Sequence, residues 1–420
     1  MSKLVALGAV ALLCTVLVAG AQAGGSQVTN LKFATYVWQP TTVAATKQIV
    51  DSWNKANPKI QVEIVSVDPN SVHDKLLTNF VGGTAADVIH DEAADIAGFT
   101  EQGYLANLTP LLPKSLKRSI PNEIWATVNF GRKITGVPSL LQTYNVFANM
   151  TILKQAGVKA PTIADPWTWA EFRAAAKKLT TNDRYGVCWG LRSPTAAIQT
   201  LALNYGGQYF YLVNGKWAFR WGAPEQNVVR QMRDMIHVDK SVDPAATGLS
   251  GSGVLPAFFG GKCAMTVQGN FQAQGMIQQA PSGFNWGMLA PLKGATQHQV
   301  ANPQTYSIAQ QSKNKPAAMK FIAYLLNAQN MAKLARGDWL IPASPAAGKI
   351  VARTTQYKGS WRVATASVDY FRKGNWVSLT AYPRWKAEVS QPNFVEYLAG
   401  RITLAELGER LSEGWTRVRG

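Results

Sequence analysis

Aromatic and amide side chains recur at the predicted turns of this chain, and together they are suited to binding a sugar. The aromatic candidates are Trp38, Trp189, Phe271, Trp339 and Tyr382. The amide candidates in the same regions are Gln39, Gln142, Asn270 and Gln304. The flat C–H faces of a sugar stack on aromatic rings, and its hydroxyls need fixed amide or carboxylate partners. Because any one of these rings also fits ordinary core packing, the prediction depends on the whole set.

The best candidates for acid–base chemistry are the adjacent carboxylates Asp91 and Glu92. Hydrolysis of glycosides uses two carboxyl groups that flank the bond, whereas adjacent residues of one chain usually point apart. The four histidines are too dispersed for a local metal motif, and the chain has neither a phosphate-binding glycine loop nor a G-x-S-x-G nucleophile elbow. The sequence therefore predicts ligand binding without catalysis, and it predicts no cofactor and no metal.

Short apolar strands alternate with amphipathic helices from Leu31 onward. Residues 31–37 and 60–64 have strand patterns, and the helix between them carries apolar residues on one face. A second helix and a short strand at residues 87–90 follow. This βαβαβα order predicts an α/β fold with a mainly parallel sheet. Ligands bind beyond the carboxyl ends of such strands, where Trp38, Gln39, Asp91 and Glu92 fall.

The strand and helix pattern resumes after Asn149. Thr168 with Glu171, and Thr403 with Glu406, have the spacing of helix capping boxes. No low-complexity linker separates the two halves of the chain. Two α/β units without a flexible tether indicate lobes that are joined by strands crossing between them.

The first 23 residues have the pattern of a secretory signal peptide. Lys3 precedes an apolar run over residues 4–18, and Ala21-Gln22-Ala23 is a small-x-small cleavage site. A lipid anchor would need a small residue before a cysteine at the end of the run, but Cys14 lies inside the run, after Leu13. The predicted location is periplasmic, with cleavage near Ala23; an uncleaved membrane anchor is the alternative.

Charge and cysteine content leave two questions open. The formal net charge is +18, but the basic residues are scattered and match no nucleic-acid motif, so we expect no nucleic-acid partner. A solvated basic surface and an anionic ligand both remain compatible with that charge. Cys188 and Cys263 lie in strand-like segments; they either form a disulfide or stay as buried thiols, since sequence alone does not give their separation.

Several segments, in order, resemble an extracellular solute-binding protein of an ABC importer, from the sugar-binding family that includes maltose-binding protein. Residues 83–88 and 103–112 are similar to the family's GTAPDV and GALLDLTPLL stretches. Residues 134–139, 153–157 and 168–172 match its YGLP, LFKKAGL and TWDEL run. Residues 259–266, 308–326, 339–342 and 382–385 resemble its later blocks, so the resemblance extends over almost the whole exported chain.

The resemblance implies a two-lobe periplasmic-binding-protein fold, with crossed hinge strands and a ligand cleft between the lobes. The implied N-terminal lobe is residues 24–142 and 304–343, and the C-terminal lobe is residues 143–303 and 344–420. The implied function is to capture a carbohydrate, such as an oligosaccharide or glycoside, by lobe closure and to deliver it to the permease. We expect the protein to act as a monomer.

By the same resemblance, the ligand-binding residues are Trp38, Gln39, Asp91, Glu92, Gln142, Trp189, Asn270, Phe271, Gln304, Trp339 and Tyr382. Gln142 stands where many members have an acidic residue, and Asn270-Phe271 where many have Pro-Trp. Two alternatives remain at this point. The same fold would bind a phosphorylated polyol if Arg192 acts as an anion clamp, or the chain is a secreted carbohydrate-active enzyme with Asp91 or Glu92 as its acid.

Overall fold

A computed structural model of the chain describes residues 28–68, 72–131, 133–354 and 358–419. The predicted signal peptide, residues 1–23, lies outside these residues. The described chain forms two α/β lobes, each built around its own sheet, with helices packed on the sheet faces. The predicted α/β fold class with two lobes is confirmed.

The first stretch of the chain builds most of one lobe. Its strands are β1 (Thr29–Tyr36), β2 (Ile60–Val67), β3 (Val88–Glu92), β4 (Asn129–Phe130), β5 (Lys133–Ile134), β6 (Val137–Pro138) and β7 (Leu140–Leu141). Its helices are α1 (Pro40–Ala56), α2 (Val72–Val81), α3 (Ala93–Glu101), α4 (Lys114–Arg118) and α5 (Asn122–Trp125).

The middle stretch builds the second lobe. Its strands are β8 (Tyr144–Asn149), β9 (Tyr185–Cys188), β10 (Phe210–Val213), β11 (Lys216–Phe219), β12 (Cys263–Gly269) and β13 (Trp286–Met288). Its helices are α6 (Met150–Gln155), α7 (Trp169–Leu179), α8 (Thr195–Ala202), α9 (Ala223–His237), α10 (Leu255–Phe259) and α11 (Gln272–Gln279).

The last stretch returns to the first lobe and then runs along both. Its strands are β14 (Gln299–Ala301), β15 (Gln304–Ile308), β16 (Ile341–Pro342) and β17 (Phe371–Lys373). Its helices are α12 (Lys315–Leu325), α13 (Ala328–Asp338), α14 (Pro345–Thr354), α15 (Lys358–Ala366), α16 (Tyr382–Trp385), α17 (Gln391–Leu398) and α18 (Leu404–Arg419). A π-helical turn, Lys386–Ser390, joins α16 to α17.

The sheet of the first lobe has the strand order β2-β1-β3-β15-β6. The three strands from the start of the chain are parallel, but β15 runs antiparallel to both β3 and β6. The expected mainly parallel sheet is therefore a mixed sheet. The reason is that β15 enters from the second lobe rather than through a βαβ crossover, so nothing forces it to be parallel.

The sheet of the second lobe has the order β13-β8-β12-β9, and only β12 and β9 are parallel. Cys188 at the end of β9 and Cys263 at the start of β12 form a disulfide, with their Cα atoms 5.5 Å apart. This separation is typical of disulfides, and the bond links two neighbouring strands.

The chain passes between the two sheets at three places. It leaves the first sheet through β7 into β8, returns from β14 into β15, and leaves again after β16, which pairs with β7 as a short antiparallel ribbon. Beyond Ser344 it contacts both lobes, because α14 packs on α13 and α15 packs on β13. The predicted assignment of residues 344–420 to one lobe stays a prediction.

Buried aromatic residues hold each lobe together. Phe33 of β1 and Trp53 of α1 both pack edge-on against Phe321 of α12, with ring centroids 5.4 and 5.6 Å apart. In the second lobe, Phe210 packs against Trp385 and Trp415. Edge-to-face contacts of this kind stabilise a core beyond the burial of apolar area. Both predicted capping boxes are present at Thr168 and Thr403.

The disulfide provides a test of the second lobe. It closes a loop with a sequence separation of 75 residues, so the double variant C188A/C263A should lower the free energy of unfolding by about 4 kcal/mol. Calorimetry of both proteins would measure the loss. A reductant should lower the melting temperature of the unmodified chain and leave that of the variant unchanged; equal stability of the two oxidised proteins would contradict the assignment.

Candidate functional site

A cavity of about 500 Å³ lies between the lobes, beyond the carboxyl end of β3. Its wall from the start of the chain includes Glu92, Ala94, Asp95 and Gln142. Asn302 is hydrogen-bonded to this wall, and the facing wall includes Ala196, Thr200, Trp376, Tyr382, Lys386 and Gln391. A hollow of about 30 Å³ shares Glu92, Gln142 and Asn302 with the cavity and is completed by Trp38, Leu140, Gln304 and Leu340. Five predicted ligand-binding residues therefore line this region: Trp38, Glu92, Gln142, Gln304 and Tyr382.

A buried histidine fixes the end of β3. The His90 ring lies between the rings of Tyr36 and Tyr306, with centroids 4.2 and 4.6 Å away. Its Nε2 is 3.2 Å from Gln304 Oε1 and its Nδ1 is 2.9 Å from the Thr35 hydroxyl, so a neutral ring with the proton on Nε2 satisfies both contacts. Burial lowers the pKa of His90 to about 4, so the ring stays neutral at pH 7.

Asp91 supports the site from behind. The Tyr36 hydroxyl and the Glu92 backbone N–H both donate to Asp91 Oδ1, at 2.9 and 2.8 Å. Its Oδ2 is buried and has no hydrogen-bond partner in the part of the chain that the structure describes. Burial and the nearby charge of Asp95 raise the pKa of the Asp91 carboxyl well above its usual range. Asp91 thus positions β3 and Tyr36 and does not line the cavity.

Glu92 is the carboxylate that reaches both the cavity and the hollow. Asn302 Nδ2 donates to Glu92 Oε2 at 2.8 Å, and Asn302 Oδ1 accepts the N–H of Ala94 at 3.0 Å. Burial raises the pKa of Glu92 to about 7, and the charge of Asp95 adds to the rise, whereas Lys386 and Asn302 oppose it. The group therefore changes protonation near neutral pH and is able to accept or donate a hydrogen bond to a hydroxyl.

Trp38 is held at the mouth of the hollow by a buried carboxylate. Its Nε1 donates to Asp338 Oδ1 at 2.8 Å, and the Thr42 hydroxyl donates to the same oxygen. Burial raises the pKa of Asp338 to about 6, while these hydrogen bonds oppose the shift. The indole keeps 38% of its surface exposed and lies 5.6 Å, centroid to centroid, from Phe271 of the other lobe. The side chain is therefore partly accessible next to the cleft.

Tyr382 and Trp376 form an aromatic pair on the facing wall. Their rings stack with centroids 4.7 Å apart, and the Tyr382 hydroxyl donates to Gln199 Oε1 at 2.5 Å. Burial raises the pKa of Tyr382 well above its usual value, so the phenol remains protonated. Across the cavity, the side-chain amide of the half-buried Gln142 makes no hydrogen bond with any described residue. The two rings, which are 2% and 4% exposed, and the uncommitted amide of Gln142 thus line the same space.

The structure does not bring three of the predicted residues to this region. Trp189 is buried in the second lobe against Phe172. Trp339 is buried and stacks on Trp361 at 4.0 Å. Asn270 is fully buried and ties the crossing segments together, because its Nδ2 donates to the Trp339 carbonyl at 2.6 Å and its Oδ1 accepts the backbone N–H of residue 143.

Gln39 and Phe271 lie near the cleft mouth without lining the cavity or the hollow. Gln39 is half-buried directly before α1, and its side chain does not cap that helix. Phe271 is half-buried against Trp38. Nearby, Gln274 Nε2 donates to the Thr41 hydroxyl at 3.1 Å, so the lobes touch on this side of the cleft.

Sequence reasoning missed Asp95, Asn302, Trp376, Lys386 and Asp338. Asp95 had a signal, because it lies in the first turn of the helix that directly follows β3. Asn302 directly follows the short strand β14, which the sequence pattern did not identify as a strand. The remaining three come from a part of the chain whose return to the cleft no local pattern predicts.

Within the described ranges, one group of His, Cys, Asp or Glu side chains has three ligand atoms within 4.8 Å of one another. It consists of Cys188, Cys263 and Asp243, and its two sulfurs are bonded to each other. The cavity carboxylates do not converge in this way. No helix of the described chain is long and apolar enough to cross a membrane.

Comparison with known proteins gives consistent matches. Residues 38–362 match the family described as bacterial extracellular solute-binding protein. An uncharacterized lipoprotein in the oleD 5' region of Streptomyces antibioticus is 41% identical over 391 residues, which cover 92% of this chain and 86% of that protein. The multiple sugar-binding protein of Streptococcus mutans is 26% identical and covers 69% of this chain and 70% of its own.

A solved structure shows the same fold. The ABC substrate-binding protein Lmo0181 of Listeria monocytogenes, in complex with cycloalternan, superposes with a TM-score of 0.78 at 20% identity. The match covers 94% of this chain and all of that one. At 20% identity, the comparison supports the similarity of fold and nothing about the ligand.

The raised pKa of Glu92 predicts how stability depends on pH. The folded chain binds more protons at this group than the unfolded chain between about pH 4.5 and 7, so the free energy of unfolding falls as pH rises through that window. E92Q removes this loss and should become more stable relative to the unmodified chain by roughly 1–3 kcal/mol between pH 5 and 8. Melting temperatures across that range would measure it.

The matched control is E413Q at an exposed position of α18. It removes one carboxylate away from the cavity, so the pH dependence found for E92Q is compared with the one found for E413Q. A pH-independent difference for E92Q would show that Glu92 does not have the raised pKa.

Proposed function

We propose, from the premise that this chain belongs to the bacterial extracellular solute-binding protein family, that it captures a carbohydrate outside the cytoplasm and delivers it to an ABC permease. The observation that carries the proposal is the cavity itself. Carboxylate and amide groups from the first lobe face an aromatic pair and a lysine from the C-terminal helices. Flat polyhydroxylated ligands need this combination of stacking surface and fixed polar groups.

The size of the cavity supports an oligosaccharide or glycoside. A volume of about 500 Å³ lies within the range of small-molecule sites and exceeds what one hexose fills. The adjoining hollow extends the same space toward Trp38, whose exposed side-chain surface would pack against a further ring. We therefore expect two or three sugar units.

Lobe closure couples binding to delivery in this proposal. Glu92 and Gln142 belong to the first lobe and its exit strand, while Tyr382, Lys386 and Gln391 approach from the facing wall. A ligand that contacts both walls favours the closed arrangement, because its binding free energy is greatest there. The permease partner would recognise the closed arrangement, with the chain acting as a monomer.

The same proposal includes a periplasmic location, with the leader removed near Ala23, and no catalysis. Asp91 supports β3 from a buried position, and the second cavity carboxylate, Asp95, lies on the same wall as Glu92 rather than across the cavity from it, whereas glycoside hydrolysis needs two carboxyls that flank the bond. The anionic-ligand alternative loses its clamp, because Arg192 is exposed and lines neither the cavity nor the hollow. Glu92 and Asp95 would also repel a phosphate.

A thermal-shift screen of the exported chain tests the proposal. We expect maltotriose, cellotriose or arabinotriose to raise the melting temperature, because a ligand of the folded state stabilises it by mass action. Glucose 6-phosphate and sorbitol 6-phosphate represent the anionic alternative, and amino acids serve as the negative set. Shifts from phosphorylated compounds alone would contradict the carbohydrate proposal, and release of shorter sugars during the screen would identify an enzyme.

Trp38 tests the extension of the site toward the hollow. W38A should weaken binding of the sugar by roughly 1–3 kcal/mol, because it removes a stacking surface. W38F is the matched control, since it keeps a ring next to Phe271 but loses the hydrogen bond to Asp338. Titration calorimetry would compare the three proteins; unchanged affinity in W38A would remove Trp38 from the binding site.

A further inference from the structure

The helix along the facing wall of the cavity contains a π-helical turn at residues 386–390. Helical structure is continuous from Tyr382 to Leu398, and Pro392 lies two residues after the turn. Proline has no backbone N–H, and its ring clashes with the carbonyl four residues earlier in a regular α-helix. The backbone N–H of Gln391 instead donates to the carbonyl of Lys386, five residues before it. Pro392 therefore explains why the helix widens into a π-turn at this point.

The wider turn changes which side chains share a face. In a regular α-helix, a residue five positions after Lys386 would be rotated by about 140° away from it. In a π-turn, the backbone hydrogen bond joins residues i and i+5, and the wider turn brings their side chains closer to one face. Lys386 and Gln391 both line the cavity, and Gln391 is fixed there by a hydrogen bond of 3.1 Å from its Nε2 to the Ser193 hydroxyl.

Lys386 faces acidic groups without pairing with them. Its charge opposes the rise in the pKa of Glu92 on the other wall, so the two groups share one electrostatic environment. Yet Lys386 makes no ion pair shorter than 4.0 Å and no side-chain hydrogen bond within the chain that the structure describes. A half-buried ammonium that is held at a cavity wall without a partner has three donors available to a ligand.

We infer that Lys386 is a specificity-determining ligand contact, placed by the π-turn so that one sugar unit accepts hydrogen bonds from Lys386 and donates them to Glu92 on the opposite wall. The inference deepens the proposed function and rests on it. It also defines the ligand chemistry at this point. Hydroxyl groups do both tasks, because each donates and accepts, whereas a phosphate only accepts and would be repelled by Glu92 and Asp95.

The test is K386M, which keeps most of the length of the side chain and removes the charged donor. The matched control is R384M, two residues earlier on the same helix, where Arg384 is exposed and pairs with Glu388 outside the cavity. Titration calorimetry with maltotriose, cellotriose and arabinotriose is expected to show at least about tenfold weaker binding for K386M, the usual effect of losing a charged hydrogen bond. R384M should bind within about twofold of the unmodified chain, since surface pairs contribute little.

The outcomes separate this inference from the proposed function. Binding by the unmodified chain with equal affinity in K386M would overturn the role of Lys386 and leave carbohydrate capture standing. Equal losses of affinity in K386M and R384M would also overturn the role of Lys386, because affinity would then depend on the net charge of the protein rather than on this side chain. Absence of binding to all three trisaccharides by the unmodified chain, which thermal shift would confirm independently, would remove the proposed function and this inference together.

Discussion

The antiparallel pairing of β3 with β15 is the constraint on which the rest of the structure depends. It joins strands whose residues are 214 positions apart, such as His90 and Gln304, and places Gln304 directly opposite Glu92. Because β15 arrives from the second lobe, this pairing forces the chain to pass between the sheets beside the end of β3. The cavity and the crossing segments are therefore adjacent for a topological reason.

Buried polar groups surround this junction. They line or support the site, and their burial lowers the stability of the fold. Burial raises the carboxyl pKa of Asp91, Glu92 and Asp338, to about 7 for Glu92 and about 6 for Asp338, so each ionises at a higher pH than an exposed carboxyl does. Desolvated acids of this kind cluster where a protein must bind something polar. The neutral His90 between two tyrosine rings holds β3 rigid beneath them. The arrangement resembles other binding sites in which stability is reduced by preorganised polar groups.

The sequence predicted those site residues whose position is indicated by a local pattern, and it missed those positioned by tertiary packing. The end of a strand with a helix after it is a local pattern, and it correctly brought Glu92 and Trp38 to the cleft. Trp339 and Asn270 also follow strands or helices, but tertiary packing directs them inward, against Trp361 and the crossing segments. Lys386 required knowledge of the π-turn and of the return of the C-terminal helices, and neither has a periodicity that the sequence displays. The two-lobe fold was predictable because alternating strands and helices, unlike side-chain directions, are set by local pattern.

A crystal structure of the exported chain with the trisaccharide that binds most tightly would test the central claim most directly. The account predicts a sugar between Glu92 and Lys386, with one ring against Tyr382 or Trp376 and a hydroxyl within hydrogen-bond distance of the Glu92 carboxyl. A sugar bound on the outer surface of either lobe, with the cavity between them free of ligand, would contradict it.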